Sequence, residues 1–216
     1  MAAPQNRWGF KNLEKLTQST TIFRGNGAIF PIPRAEQDIS GFSFQSKLGV
    51  SITVQEHLLA TFTDGFIVLK DGTSVFETYL DGFQAHERHI MFSVTKSIAG
   101  LITEDFVAKG VIDDSRLASE YVPELEGSLF GDATVRQIMD MVVGYDYTES
   151  YDDPLSNTAQ FGYASGLWQA PAGSGFADNI CDYLKKQVKK GEHGEQFRYV
   201  TACTEAMTWI LSLIHI

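Results

Sequence analysis

A chain of 216 residues with 44% hydrophobic and 20% charged side chains has ordinary globular composition and length for one good-sized domain or two small lobes. Its net charge of −10 opposes non-specific binding to nucleic acid or anionic membrane, and its two cysteines are too few for a disulfide framework. The N-terminus Met1-Ala2-Ala3-Pro4-Gln5-Asn6-Arg7 lacks the apolar run of a secretory signal, and no stretch has the length of a membrane span, so a cytoplasmic location is expected.

Residues 1–51 are mixed in character. Within them Ile29-Phe30-Pro31-Ile32-Pro33 is predicted to be extended, because proline neither continues a helix nor lets the residue before it do so. A strap over the core is the expected role. Gly65-Phe66-Ile67-Val68-Leu69-Lys70, then Asp71-Gly72, then Thr73-Ser74-Val75-Phe76-Glu77-Thr78-Tyr79 reads as a strand, a tight turn and a second strand. The polar run His86-Glu87-Arg88-His89 has neither zinc-protease order nor a third ligand nearby, and is read as loop.

Next comes Phe92-Ser93-Val94-Thr95-Lys96-Ser97-Ile98-Ala99-Gly100, a serine with a lysine three positions on. A helix is predicted over 97–109, with Ile98, Leu101, Ile102, Phe106 and Val107 at helical intervals on the apolar side and Gly110 at its C-terminal end. One helical turn puts Lys96 on the face of Ser93, where a partly desolvated amine could take the hydroxyl proton. A serine at a helix start also sits where free N–H groups favour developing negative charge. The spacing alone equally fits an exposed Ser and Lys in the first turn of any helix.

Downstream, 121–125 reads as a short helix, and Thr134 caps a helix over 135–142. Residues 144–175 are rich in Tyr, Asp, Ser and Gly and are read as a long loop or pocket wall. Its Tyr145, Tyr147, Tyr151, Asp152, Asp153 and Trp168 either line a cleft or simply pack and cap the loop. Lys185, Lys186, Lys189 and Lys190 are placed on a solvated helix face, and Cys181 and Cys203 are read as small buried residues. The glycines of Gly25-Asn26-Gly27 and of 162–175 have no phosphate-loop order. Finally, Phe197-Arg198-Tyr199-Val200-Thr201-Ala202-Cys203-Thr204 precedes a helical run over 205–211.

Together, the hairpin with VLKDG, the block MFSVTKSIAG, VPELEGSLFGDATVRQIMDMVVG, YDDP and FRYVTACTEAMTWIL resemble the penicillin-recognising serine hydrolases. That family holds class C β-lactamases, DD-peptidases, related esterases and the aminohexanoate-dimer (nylon-oligomer) hydrolases, and the last branch is the most similar. The likeness runs from about residue 51 to 211; the first fifty residues resemble that branch's extension only loosely.

The resemblance implies an α/β (α+β) fold of the β-lactamase/transpeptidase type, with an antiparallel sheet lobe and an all-helical lobe. It implies Ser93 as nucleophile, Lys96 as base and Tyr199 as the phenol relaying the proton, with Tyr151 and Thr201 as substrate-binding candidates. Thr201 stands where the β-lactamases carry asparagine, which favours an amidase or esterase of small linear substrates. Cys203 replaces an asparagine common in relatives, which removes an amide from that position. No metal or organic cofactor is implied, the expected partner is a small amide or ester, and no nucleic acid or membrane is expected; the oligomeric state is left open. The rivals are a class C-like β-lactamase or DD-peptidase, and a non-catalytic penicillin-binding-like fragment.

A Lys- or His-Thr-Gly-like triplet, which the family uses on a sheet strand beside the oxyanion, occurs nowhere in the chain. Losing one oxyanion donor costs about a hundred- to a thousandfold in rate, so little turnover is expected of the chain as written. The last residues, Leu211-Ser212-Leu213-Ile214-His215-Ile216, read like a translated sequencing-adapter end. The expected organisation is therefore an extension over 1–50, the N-terminal part of the hydrolase domain with an incomplete sheet over 51–210, and a non-native tail over 211–216.

Overall fold

The computed structural model describes residues 4–214, so His215 and Ile216 of the expected tail, and Met1 to Ala3, lie outside it. The chain divides into two compact units, one ending at Ile90 and the other beginning at Met91. The strap and the hairpin share the first unit, and Ser93 opens the second.

The first unit begins with helix α1 (Asn6–Lys11). Strands β1 (Ser43–Gln45) and β2 (Ser51–Thr53) form a short antiparallel pair in which Phe44 faces Ile52. Helix α2 (Val54–Ala60) follows at once, because Thr53 and Glu56 satisfy each other's backbone N–H groups in a capping box. Strands β3 (Gly65–Lys70) and β4 (Thr73–Tyr79) then pair antiparallel from Gly65 opposite Tyr79 to Lys70 opposite Thr73. Their turn has Asp71 at φ 51° and Gly72 at φ 75°, the two left-handed residues that match the twist of a tight hairpin.

The prolines of the strap leave it without two N–H donors, but the Pro33 carbonyl accepts from the Ser74 N–H at 2.8 Å. Ala35 and Gln37 then donate to the Ser74 and Val75 carbonyls, at 2.9 and 2.7 Å, so residues 33–37 run along β4, whereas Ile29 and Phe30 of the expected strap are exposed rather than laid over a core. A polar node closes the unit. Asp64, with its side chain 4% exposed, accepts from Arg7 Nε and Nη2 at 2.9 and 2.6 Å and lies 3.6 Å from Lys11 Nζ. His89 Nε2 is 3.2 Å from its other oxygen, so the loop residue His89 is tied into this node by a hydrogen bond.

The second unit is helical. Helix α3 (Val94–Ala108) is followed by α4 (Ala118–Tyr121), a 3-10 turn at Pro123–Leu125, α5 (Val135–Met139), α6 (Asn157–Ala164), α7 (Ile180–Lys185) and α8 (Thr201–Leu213). Leu125, Leu129, Phe130, Ile138, Leu184 and Ile210 are fully buried at its centre, and α8 packs against α3, α4, α5 and α7.

Several expectations are corrected. The apolar stripe of α3 is wider than the face that packs: Ala99, Phe106 and Val107 meet the core, whereas Leu101 is 72% exposed and Ile98 and Ile102 are about half exposed. Thr103 takes a core position instead, its hydroxyl donating to the Ala99 carbonyl at 2.9 Å. The helix capped by Thr134 stops at Met139, since Met141 turns left-handed at φ 53°. The segment 144–175 is not one loop, because Ser156 accepts from the Ala159 N–H and starts α6. The lysine cluster is not one helix face: α7 ends at Lys185, and Lys189 lies beyond it, beside Asp132 and Glu192. Cys181 is exposed, and only Cys203 is buried. Helix α8 starts at Thr201 rather than at 205, which places Thr201 and Cys203 inside it.

Candidate active site

The chain enters α3 through Phe92, whose φ of 44° is left-handed, a conformation that costs a bulky residue of order 1–3 kcal/mol. That turn delivers Ser93 to the helix start with φ −68° and ψ −10°. The Ser93 hydroxyl caps no helix N–H and is left for another partner. Lys96, one turn on, supplies it: Nζ donates to Ser93 Oγ at 3.0 Å. The N–H of Ser93 donates to no acceptor among the described residues, so an open backbone donor stands beside its own hydroxyl at the positive end of the α3 dipole.

Tyr199 precedes α8 by two residues, and its ring centre lies 5.4 Å from Lys96 Nζ, within cation–π reach. The structure thus brings Ser93, Lys96 and Tyr199 together in a chain centred on the lysine. Ser93 is exposed and Lys96 is partly buried, so the amine stands between solvent and core.

Thr201 is the first residue of α8 and is half-buried, two positions from Tyr199. Tyr151 is 68% exposed, donates from Oη to Glu149 Oε1 at 2.6 Å and rests edge-on against Trp168. Glu149 chiefly pushes its phenol up to about 12, with burial and, more weakly, Tyr199 adding to the effect. Tyr145 and Tyr147 behave otherwise. Both are buried, Tyr145 bonding Gln187 and accepting from Asn157 Nδ2 at 2.9 Å, and Tyr147 sharing a 3.1 Å bond with Thr158. They pack and brace the segment, whereas the Tyr151 ring is exposed.

Behind Lys96 lies a cavity of about 180 Å³, with Gly100 and Glu104 on the α3 side, Met139 and Met141 on the α5 side, and Cys203, Thr204 and Met207 from α8. Burial pushes the Cys203 thiol well above its ordinary range, so it is a neutral wall of that cavity. Arg136 at the same cavity donates to Glu104 at 2.7 Å and to Asp114 at 2.7 Å, tying α5 to α3 and to the loop after it. Among the described residues no group of three or more His, Cys, Asp or Glu is placed to hold a metal ion.

One residue escapes the sequence reasoning. Glu205 is half-buried on α8, one turn after Thr201, and a single acidic residue in a helix that also carries threonines and a serine offers no signal that sequence reasoning could use.

The chain matches the profile of a family described as Beta-lactamase over residues 54–203. It is 32% identical over 212 residues to the 6-aminohexanoate-dimer hydrolase of Paenarthrobacter ureafaciens, covering 98% of this chain and 52% of that protein. A solved structure described as "Putative 6-aminohexanoate-dimer hydrolase from Bacillus anthracis" superposes with a TM-score of 0.89 at 29% identity, over 99% of this chain and 56% of the other. The chain therefore spans about half the length of these two relatives.

Proposed function

From a chain that belongs to the beta-lactamase family and has its β-lactamase/transpeptidase-like fold of small antiparallel sheets and several helices, we propose a serine hydrolase of amide or ester bonds in small linear substrates. The observation that carries the reading is the 3.0 Å bond from Lys96 Nζ to Ser93 Oγ, with the Tyr199 ring beside the same amine. In this reading Ser93 Oγ attacks the substrate carbonyl and its proton passes to Lys96 Nζ. Tyr199 relays a proton to the leaving group as the carbon–heteroatom bond breaks, leaving an acyl group on Ser93 that water then removes. The open N–H of Ser93 is the donor available to the oxyanion, and Tyr151 and Thr201 flank the substrate.

The name of the Paenarthrobacter ureafaciens relative supports a linear amide as the substrate class. With one oxyanion donor identified among the described residues, we expect this chain to acylate more readily than it turns over. The test is a fluorophosphonate probe, followed by peptide mapping. Labelling at Ser93 that disappears in Ser93→Ala is the expected result, and a folded wild-type chain that stays unlabelled would sink the reading. A labelled penicillin that modifies Ser93 while linear esters do not would move the assignment to the β-lactam side.

A further inference from the structure

Between α7, which ends at Lys185, and α8, which begins at Thr201, the chain forms neither helix nor strand, and this stretch delivers Tyr199 to Lys96. From Lys190 to Tyr199 every residue is exposed except His193, whose side chain is 6% exposed. The stretch is laid along the turn after α5. The Lys190 N–H donates to the Gly144 carbonyl and the Gly194 N–H to the Val142 carbonyl, both at 2.7 Å, and the Arg198 N–H donates to the Met141 carbonyl at 3.0 Å. Met141 lines the cavity that Lys96 lines, so the last of these bonds holds the residue before Tyr199 at the wall of that cavity. His193 adds a side-chain clasp. The Gly144 N–H can only donate, so His193 Nδ1 accepts it without a proton, at 2.9 Å, and the ring proton sits on Nε2, 2.8 Å from Asp132 Oδ1. Asp132 also accepts from Lys189 Nζ at 3.2 Å; burial pushes its carboxyl up, but His193 and Lys189 outweigh it. The junction is tight, since a Cβ at Gly144 would stand 2.3 Å from the Gly191 carbonyl oxygen.

On the reading of Tyr199 as the proton relay, we propose that His193 is a positioning residue: by accepting the Gly144 N–H it pins the 190–199 stretch and so holds the Tyr199 phenol where it protonates the leaving group. The acylation it serves is balanced. Ser93 Oγ bonds the acyl carbon as its proton passes to Lys96 Nζ, the bond to the leaving oxygen breaks, and that oxygen takes the Tyr199 proton, which Lys96 restores. A leaving group that departs as a stable anion needs no such proton, whereas an alkoxide does. Loss of the clasp therefore slows alkyl esters and spares activated ones, because Ser93 and Lys96 meet within one turn of α3 and do not depend on it.

The test compares the rates at which ethyl hexanoate and p-nitrophenyl hexanoate acylate Ser93 in the full chain, read by peptide mass mapping. In H193A the ethyl ester is expected to react about ten- to a hundredfold more slowly, and the p-nitrophenyl ester at the wild-type rate. H193N, whose amide oxygen takes the place of Nδ1, is expected to restore the ethyl ester, and H193Q, whose amide reaches only Asp132, is not. Equal losses with both esters, no loss in H193A, or no better rescue by H193N than by H193Q overturns the proposal while leaving Ser93 as nucleophile. If the variants do not fold, the long-range proton–nitrogen NMR spectrum of the wild-type imidazole decides: Nδ1 without a proton is expected, and the opposite tautomer overturns the clasp. A Tyr199→Phe chain that treats the two esters as the wild type does removes the relay, and this inference with it. Absence of acylation at Ser93 by either ester in the wild type overturns the serine reading itself.

Discussion

Replacing Asp64 by Asn tests what fastens the first helix to the hairpin unit. The carboxylate is 4% exposed and is shared by Arg7, 15% exposed, and Lys11, 19% exposed, with His89 on its second oxygen. Breaking a buried ion pair on one side costs about 3–5 kcal/mol. Here Arg7 keeps a second carboxylate, Asp81 at 3.0 Å, and the amide still fills the space, so about 2–4 kcal/mol is expected. The pH dependence has a definite sign. Burial pushes the Asp64 carboxyl up, but Arg7, Lys11 and His89 outweigh it and hold the group below its ordinary value. Its contribution is therefore complete above the unfolded carboxyl pKa of about 3.9 and is lost as pH falls through the folded value. Urea titrations read by hydrogen exchange on peptides from residues 4–90 should show the Asp64→Asn deficit at neutral pH and its shrinkage in acid. Equal midpoints at neutral pH, or a deficit undiminished in acid, would refute the argument.

Gly131→Ala places a Cβ 2.1 Å from the Leu125 carbonyl oxygen and 2.8 Å from its carbon, and backbone cannot step aside as a side chain can. A loss of about 3 kcal/mol in the second unit is expected by calorimetry, and an unchanged melting temperature would mean that the 3-10 turn shifts freely. Thr134→Ala removes the 3.1 Å bond to the Gln137 N–H and should cost about 1 kcal/mol, whereas Thr134→Ser should cost much less. If the two variants melt together, the cap is not what starts α5.

The parts of the fold legible in the sequence were those governed by short-range chemistry. Asp71-Gly72 demanded two left-handed residues, Thr134 offered an oxygen to a helix start, and the prolines before Arg34 forbade helix. What escaped depends on packing. Helix α6 is made of Asn, Thr, Gln, Gly and Ala among its aromatics, so it carries little hydrophobic periodicity, and only Ser156 marks its start. The stripe of α3 has the right period, but period says where apolar residues lie, not which of them find a neighbour; Leu101 and Thr103 exchange their expected places. Ser93 and Lys96 were legible because one helical turn fixes their separation. The approach of Tyr199 to Lys96 spans about a hundred residues, and the ordered blocks, not any spacing rule, pointed to it. Glu205 was hidden because a single acidic residue in a helix has no local signature until its burial is known.

The unequal lot of the two cysteines gives this protein its own clock. Cys181 faces solvent, so a maleimide or a disulfide reagent should modify one thiol at once in the native chain. Cys203, 1% exposed on α8, can react only when that helix leaves the core. The second wave of modification therefore times the opening of the scaffold behind Lys96 without any added dye or engineered residue, and a substrate analogue that binds the closed form should slow that wave while leaving the first untouched.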